Sequence, residues 1–336
     1  MNEAKKQWNE KINVFAHETA GLNIETGKTG ICLYFFMLAD SLKNKKYQQW
    51  AEELLKEIYG QLDQDMSIKT IREIMQVGIG FYFLLKRKYV EGNINQVLED
   101  VDNALFRWMS SSKPLTYEMA GFLHILYYLY LRIEKQKPNS NSLFLMEELT
   151  IKAFNDVYAS LNSAFYDEPV LFYLGYKLPL FLYVLSKIHS LGFYNYRIDE
   201  VIKEIAGLIQ SRIPVLHANR LYLLWSLVNL KQTTGFTFWD EQINIIYHNI
   251  NVQKIVEQEL RDKQVFVTDG VAGIYLLLNA LEKTDYKIPF DMEMLRKRIN
   301  DSDVWKENAQ QPLVFSYGMS GLLWVEHLIN QRINAL

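Results

Sequence analysis

An all-α chain of helix pairs, closed into an α/α toroid of seven inner and seven outer helices, is the fold the sequence predicts. Three observations predict it. A short glycine-led phrase recurs along the 336 residues, each copy followed by a helix apolar on nearly every face. Between the phrases lie helices apolar on one face only. No proline-rich, glycine-rich or low-complexity tract divides the chain, so residues 1–336 read as a single domain.

The phrases come in order as Gly27-Lys28-Thr29-Gly30, Gly78-Ile79-Gly80 and Glu118-Met119-Ala120-Gly121. Two degenerate copies follow, Gly175-Tyr176-Lys177-Leu178 and Ala218-Asn219-Arg220-Leu221, and then Gly270-Val271-Ala272-Gly273 and Gly318-Met319-Ser320-Gly321. Their last residues fall at 30, 80, 121, 178, 221, 273 and 321, an uneven spacing that suits helix pairs joined by loops of varied length. Each phrase is expected to open an inner helix, because glycine allows a sharp backbone turn and a close helix approach.

The intervening segments carry the other pattern. Trp50, Leu54, Leu55, Ile58 and Leu62 make one stripe, and Ile198, Val201, Ile202, Ile205, Leu208 and Ile209 make another with Glu200, Lys203 and Glu204 turned outward. A helix apolar all round must be enclosed, and a one-faced helix is suited to cover it, so an inner layer wrapped by an outer one follows. The inner helices are rich in Tyr, Phe, Leu and Trp throughout, which favours a closed ring over an open superhelix. Their N-termini are then expected at one end of the ring.

Composition excludes several classes of function. With 36 basic and 39 acidic residues spread along the chain, no basic field forms for a phosphate backbone, so no nucleic-acid partner is expected. The single cysteine, Cys32, excludes an internal disulfide and suits a reducing compartment; within the apolar run Ile31 to Met37 it reads as an inert core thiol. The polar N-terminus lacks a signal-peptide core, and the apolar stretch Pro169 to Leu185 is short and broken by Gly175, Lys177 and Pro179. No membrane span and a cytoplasmic location are expected.

Seven such phrases in series resemble those of the lanthionine synthetase C-like (LanC-like) cyclases. The resemblance covers residues 10 to 336 and implies the toroid and a role in ribosomal peptide modification of the lantibiotic type. In working cyclases of that family a central zinc is held by Cys in a Trp-Cys-Tyr-Gly phrase and by Cys-His in a Cys-His-Gly phrase. The corresponding phrases here are Val267-Thr268-Asp269-Gly270 and Ser316-Tyr317-Gly318, so Thr268, Ser316 and Tyr317 stand where the ligands would be. Neutral hydroxyls replace thiolate and imidazole poorly, and neither a metal nor another cofactor is expected. The family's proposed acid/base histidine is matched by His217, in Leu216-His217-Ala218-Asn219-Arg220-Leu221.

Loss of zinc is chemically survivable. A free thiol of pKa about 8.5 is only about 3% ionised at pH 7, so the loss costs roughly thirtyfold in nucleophile, about 2 kcal/mol of barrier. A placed general base supplies on the order of a hundredfold. His217, Tyr317 and Asp269 are the expected catalytic residues, and Asn219, Arg220, Thr268, Ser316 and Glu118 the expected cavity and peptide-binding residues. Each has a plainer reading: His217 as a cap or satisfied buried group, Asp269 and Ser316 as helix caps, Tyr317 as core packing. His124, amid Phe122 to Leu126, reads as a core histidine.

Three functions compete at this point. The first is metal-free thioether cyclisation on a precursor peptide, with a dehydratase as a possible partner. The second is a non-catalytic relative that binds or scaffolds the peptide. The third is an α/α-toroid glycoside hydrolase, which needs two carboxylates roughly 5 Å or 6.5–9.5 Å apart; Glu118, Glu168 and Asp269 are the candidates.

Overall fold

The computed structural model describes residues 3–65, 70–110, 119–306 and 311–335, and every regular element among them is helical. In chain order these are α1 (Glu3–Glu18), α2 (Lys28–Leu42), α3 (Lys45–Asp65), α4 (Ile71–Lys86), α5 (Ile94–Val97), α6 (Glu99–Ser110), α7 (Met119–Ile133) and α8 (Asn141–Ala159). There follow α9 (Lys177–His189), α10 (Asn195–Gln210), α11 (His217–Thr234), α12 (Asp240–His248), α13 (Val252–Lys254), α14 (Val271–Leu281), α15 (Met292–Asn300) and α16 (Met319–Ala335). No described helix is long and apolar enough to cross a membrane.

Two kinds of helix alternate, as the pattern requires. Those that carry the phrases, α2, α4, α7, α9, α11, α14 and α16, are buried along most of their length; in α2 the run from Lys28 to Phe36 is buried without a break. The helices beside them are one-faced: α10 buries Ile198, Val201, Ile202, Ile205 and Ile209 and exposes Lys203 and Glu204. Leu208, on the same predicted stripe, is exposed in the last turn.

The chain divides into two compact units, Met1–Tyr117 with Lys306–Leu336, and Glu118–Trp305. In the first, α2 packs against α3, α4 and α16, and α16 also meets α1. In the second, α9 lies against α7 and α11, and α11 against α12 and α14.

The phrase has a specific mechanical meaning in α2, α14 and α16. The first helical N–H groups have no partner one turn back, and here they reach back seven residues to loop carbonyls: Lys28 N to Gly21 O (2.9 Å), Val271 N to Gln264 O (3.1 Å) and Met319 N to Pro312 O (2.8 Å). The loop therefore lies over the first turn, and a Cβ on Gly30 or Gly273 would overlap the carbonyl oxygen of Ile24 or Val267. Glycine is required for contact, not for an unusual φ.

The second phrase departs from expectation. Gly78-Ile79-Gly80 lies inside α4, which begins at Ile71 and is capped by Thr70, whose Oγ1 accepts from Glu73 N (3.3 Å). Gly80 instead meets α2, since a Cβ there would overlap the Thr29 methyl group. Glycine marks a helix crossing here, and Glu73 and Gln76 hold the loop before α2 by accepting from Leu22 N (2.6 Å) and Ile24 N (3.1 Å).

Candidate functional site

In the second unit the starts of α9, α11 and α14 are bonded to one another through their entrance loops. Leu174 N donates to Thr268 O (2.7 Å), and the Tyr222 hydroxyl of α11 donates to Leu174 O (2.9 Å). Glu168 accepts from Val215 N (2.6 Å), Leu216 N (2.9 Å) and Asn219 Nδ2 (2.9 Å), and Asn219 Nδ2 also reaches Pro169 O (3.2 Å).

The phrase before α11 has lost both glycines, so a loop cannot close over its first turn. Carboxylates replace the loop carbonyls. Glu259, the last residue of a π turn at Ile255–Glu259, accepts from His217 N (2.7 Å) and Ala218 N (2.9 Å). An anion at a helix N-terminus meets both unsatisfied donors and the positive end of the dipole. Sequence reasoning missed Glu259, which lies more than forty residues away; the available signal was that Leu216, at the cap position, has no capping side chain.

His217 is half-buried at this helix start. Its Nδ1 lies 2.9 Å from Asn249 O, and because a carbonyl only accepts, Nδ1 carries the proton. The neutral ring then has its lone pair on Nε2. Arg220 braces the same point: Nε donates to Pro214 O (2.6 Å) and Nη1 to Asn249 O (2.9 Å). Nη1 also lies 3.4 Å from Nδ1, but both atoms donate to one carbonyl, so this approach is a shared acceptor and not a bond between them.

At the start of α14, Asp269 is half-buried and its Oδ1 is enclosed with no partner. Burial raises its carboxyl above the ordinary value. It is not a helix cap; that position belongs to Gly270, which has no side chain to offer. Asn219 is fully buried, with its Oδ1 also unpartnered.

No family model matches the chain, and no curated protein matches it. Its chemistry must therefore be read from these groups.

Ser316 and Tyr317 belong to the first unit, where Ser316 N donates to Glu25 O (3.1 Å) and Tyr317 is 44% exposed, which removes it from the core-packing reading. Ser316 stands outside α16, whose first turn is closed by backbone groups: Leu322 N donates to Gly318 O (3.2 Å). Glu118 lies outside the described residues. Cys32 is fully buried in α2, its thiol directed at Ala51 O (3.4 Å), and burial pushes its pKa far above the ordinary thiol range.

Zinc, which the family resemblance implies for working cyclases, finds no fitting donor set among the described residues. Thr268 and Ser316 offer hydroxyls, Tyr317 a phenol, and the one thiol is enclosed in a core. Among the described residues no group of three or more His, Cys, Asp or Glu is placed to hold a metal ion.

Two further features belong to the same unit. The loops joined by Glu168 expose Val170 (90%) and Val215 (76%), with Leu171, Tyr173 and Ile213 beside them in the sequence, an unusual run of exposed apolar side chains. Farther along the same helices, half-buried aromatic rings meet across α7, α9 and α11. Tyr127 and Tyr183 have ring centroids 6.2 Å apart, and Tyr183 stacks on Trp225 at 4.3 Å.

Proposed function

We propose that this chain is a LanC-like α/α toroid that binds a precursor peptide at the inner-helix starts and uses His217 for metal-free thioether formation in the cytoplasm. The observation that carries the reading is His217 itself. A ring fixed as the Nδ1–H tautomer by Asn249 O, braced by Arg220 and half-exposed beside apolar loops, presents Nε2 as a base. With Nδ1–H tied to a backbone carbonyl, Nε2 is the ring atom left for proton transfer.

In the proposed step the peptide Cys S–H gives its proton to Nε2, and the thiolate sulfur adds to the β-carbon of a dehydrated Ser or Thr. The α-carbon then takes up a proton, so the reaction is mass-neutral. Closure of the ring is supported by the alternation of enclosed and one-faced helices. The glycosidase reading loses one of its carboxylates, because both oxygens of Glu168 accept N–H donors and hold it as an acceptor.

Binding without turnover is the second reading, and the hydroxyls at Thr268, Ser316 and Tyr317 favour it. The test is a dehydrated peptide containing one cysteine, followed by loss of free thiol at unchanged mass. Wild-type chain is expected to consume the thiol and His217→Gln to slow consumption by about a hundredfold, with little change in peptide affinity or melting midpoint. Equal rates for both proteins would overturn the assignment of His217. Tight binding with no thiol consumed by either would establish the scaffold reading.

A further inference from the structure

An open groove runs along the segment that holds His217, between residues 250–257 on one side and residues 289–301 on the other. Its two compartments, about 520 and 760 Å³, adjoin through Glu257, Asp291 and Met294, which line both. Each volume falls within the range of ligand pockets, roughly 300–1,000 Å³. The wall begins at Ile250, the residue after Asn249, whose carbonyl accepts from His217 Nδ1. Residues two apart on a helical turn point to opposite sides, so the π turn gives Glu259 to the start of α11 and Glu257 to the groove.

The smaller compartment selects the sign of its occupant. Ile250, Val252, Phe290 and Met294 supply apolar surface, and among the described residues the charged groups lining it are Glu257 and Asp291. Both are bonded to neutral donors. Glu257 accepts from the Gln253 amide (3.0 and 3.2 Å), and Asp291 Oδ1 accepts from Glu293 N (2.9 Å) to cap α15. The cations of the larger compartment do not neutralise them: Arg296 is committed to Glu293 (2.5 Å) and Arg298 to Asp262 (3.1 Å), and Lys297 does not line the smaller end. Two carboxylates repel an anion, and a wholly apolar side chain would cover them without pairing them. A cationic head on an aliphatic stem meets the carboxylates and the apolar surface together.

Resting on the peptide-binding reading above, we infer that this groove is a docking subsite for a basic segment of the bound peptide, with a Lys or Arg side chain seated at Glu257 and Asp291. The groove and His217 share one backbone segment, so the same peptide can occupy both.

The experiment uses the full chain and fluorescent twelve-residue peptides with one cysteine and one Lys scanned through the other positions, each compared with its norleucine and Glu counterparts. At the best position, anisotropy is expected to show about three- to tenfold tighter binding with Lys than with norleucine, the range of two exposed ion pairs, and weaker binding still with Glu. The double variant Glu257→Gln, Asp291→Asn should erase that preference. Asn keeps the cap on α15, and circular dichroism melts confirm that the variant folds. A control pair on α3, Glu52→Gln with Glu53→Gln, removes the same charge elsewhere and should keep the preference. Equal binding of Lys and norleucine peptides at every position, a preference that survives in the folded groove variant, or one lost equally in the α3 control would overturn the subsite while leaving peptide binding intact. Failure of every peptide to bind would overturn both.

Discussion

At the scale of single residues, Asp269 is a carboxylate whose environment works against its charge. Its carboxyl is raised by burial and its Oδ1 has no partner, so the folded state holds the proton more tightly than the unfolded chain does. The penalty is absent at low pH. It builds as pH rises from the unfolded value of about 3.9 through the raised folded value, and stays constant above that. Asp269→Asn is therefore expected to raise the melting midpoint at pH 7 and to converge with wild type near pH 3. Scanning calorimetry at the two pH values checks this, and a variant less stable at pH 7 would show that the charge is satisfied after all. Cys32 is a second acid raised by burial, its thiol enclosed against Ala51 O. Native protein should leave Cys32 unmodified by a thiol reagent over hours, with one equivalent reacting at once in denaturant.

At the scale of elements, the helix pairs were legible because enclosure leaves a periodic mark: α3 buries Leu54, Ile58 and Leu62, each four residues on, as read from spacing alone. Entrance geometry was legible only in part. Glycine marks a loop folded over a helix start at Gly30 and Gly273 but a helix crossing at Gly80, and the letters do not distinguish these contacts. His217 could be found by its phrase, whereas Glu259 could not, because its partnership with the α11 start depends on how distant segments pack. This yields a prediction for α11. Glu259→Ala leaves His217 N and Ala218 N without acceptors and should cost about 1–2 kcal/mol, with Glu259→Gln recovering part of it through its amide oxygen. Urea titrations of the two variants would measure this. A loss no larger than that at the exposed Glu257 would show that water caps α11 equally well.

At the scale of the whole molecule, the first unit is assembled from both ends of the sequence: α1 to α6 come from the N-terminal part, and α16 returns to pack on α1 and α2. The docking is specific. Lys5 Nζ pairs with the nearly buried Glu326 (2.5 Å), Ser316 N donates to Glu25 O (3.1 Å), and the Phe315 Cβ presses on the position a Gly30 side chain would occupy. Without α16, the enclosed helix α2 would present apolar residues to water, and each buried aliphatic or aromatic side chain so exposed costs about 1.5–3 kcal/mol. Residues 1–110 alone are accordingly expected to lack a cooperative melt. Adding a separate peptide of residues 311–336 should restore both helicity and cooperativity. Gly30→Ala in the larger fragment should abolish that rescue, because its Cβ meets the Ile24 carbonyl and Phe315 together, while Lys5→Ala should only weaken it by leaving Glu326 unpaired. Circular dichroism melts with increasing peptide would decide the matter. A fragment 1–110 that melts cooperatively by itself, unchanged by the peptide, would mean that α16 covers the first unit without holding it together.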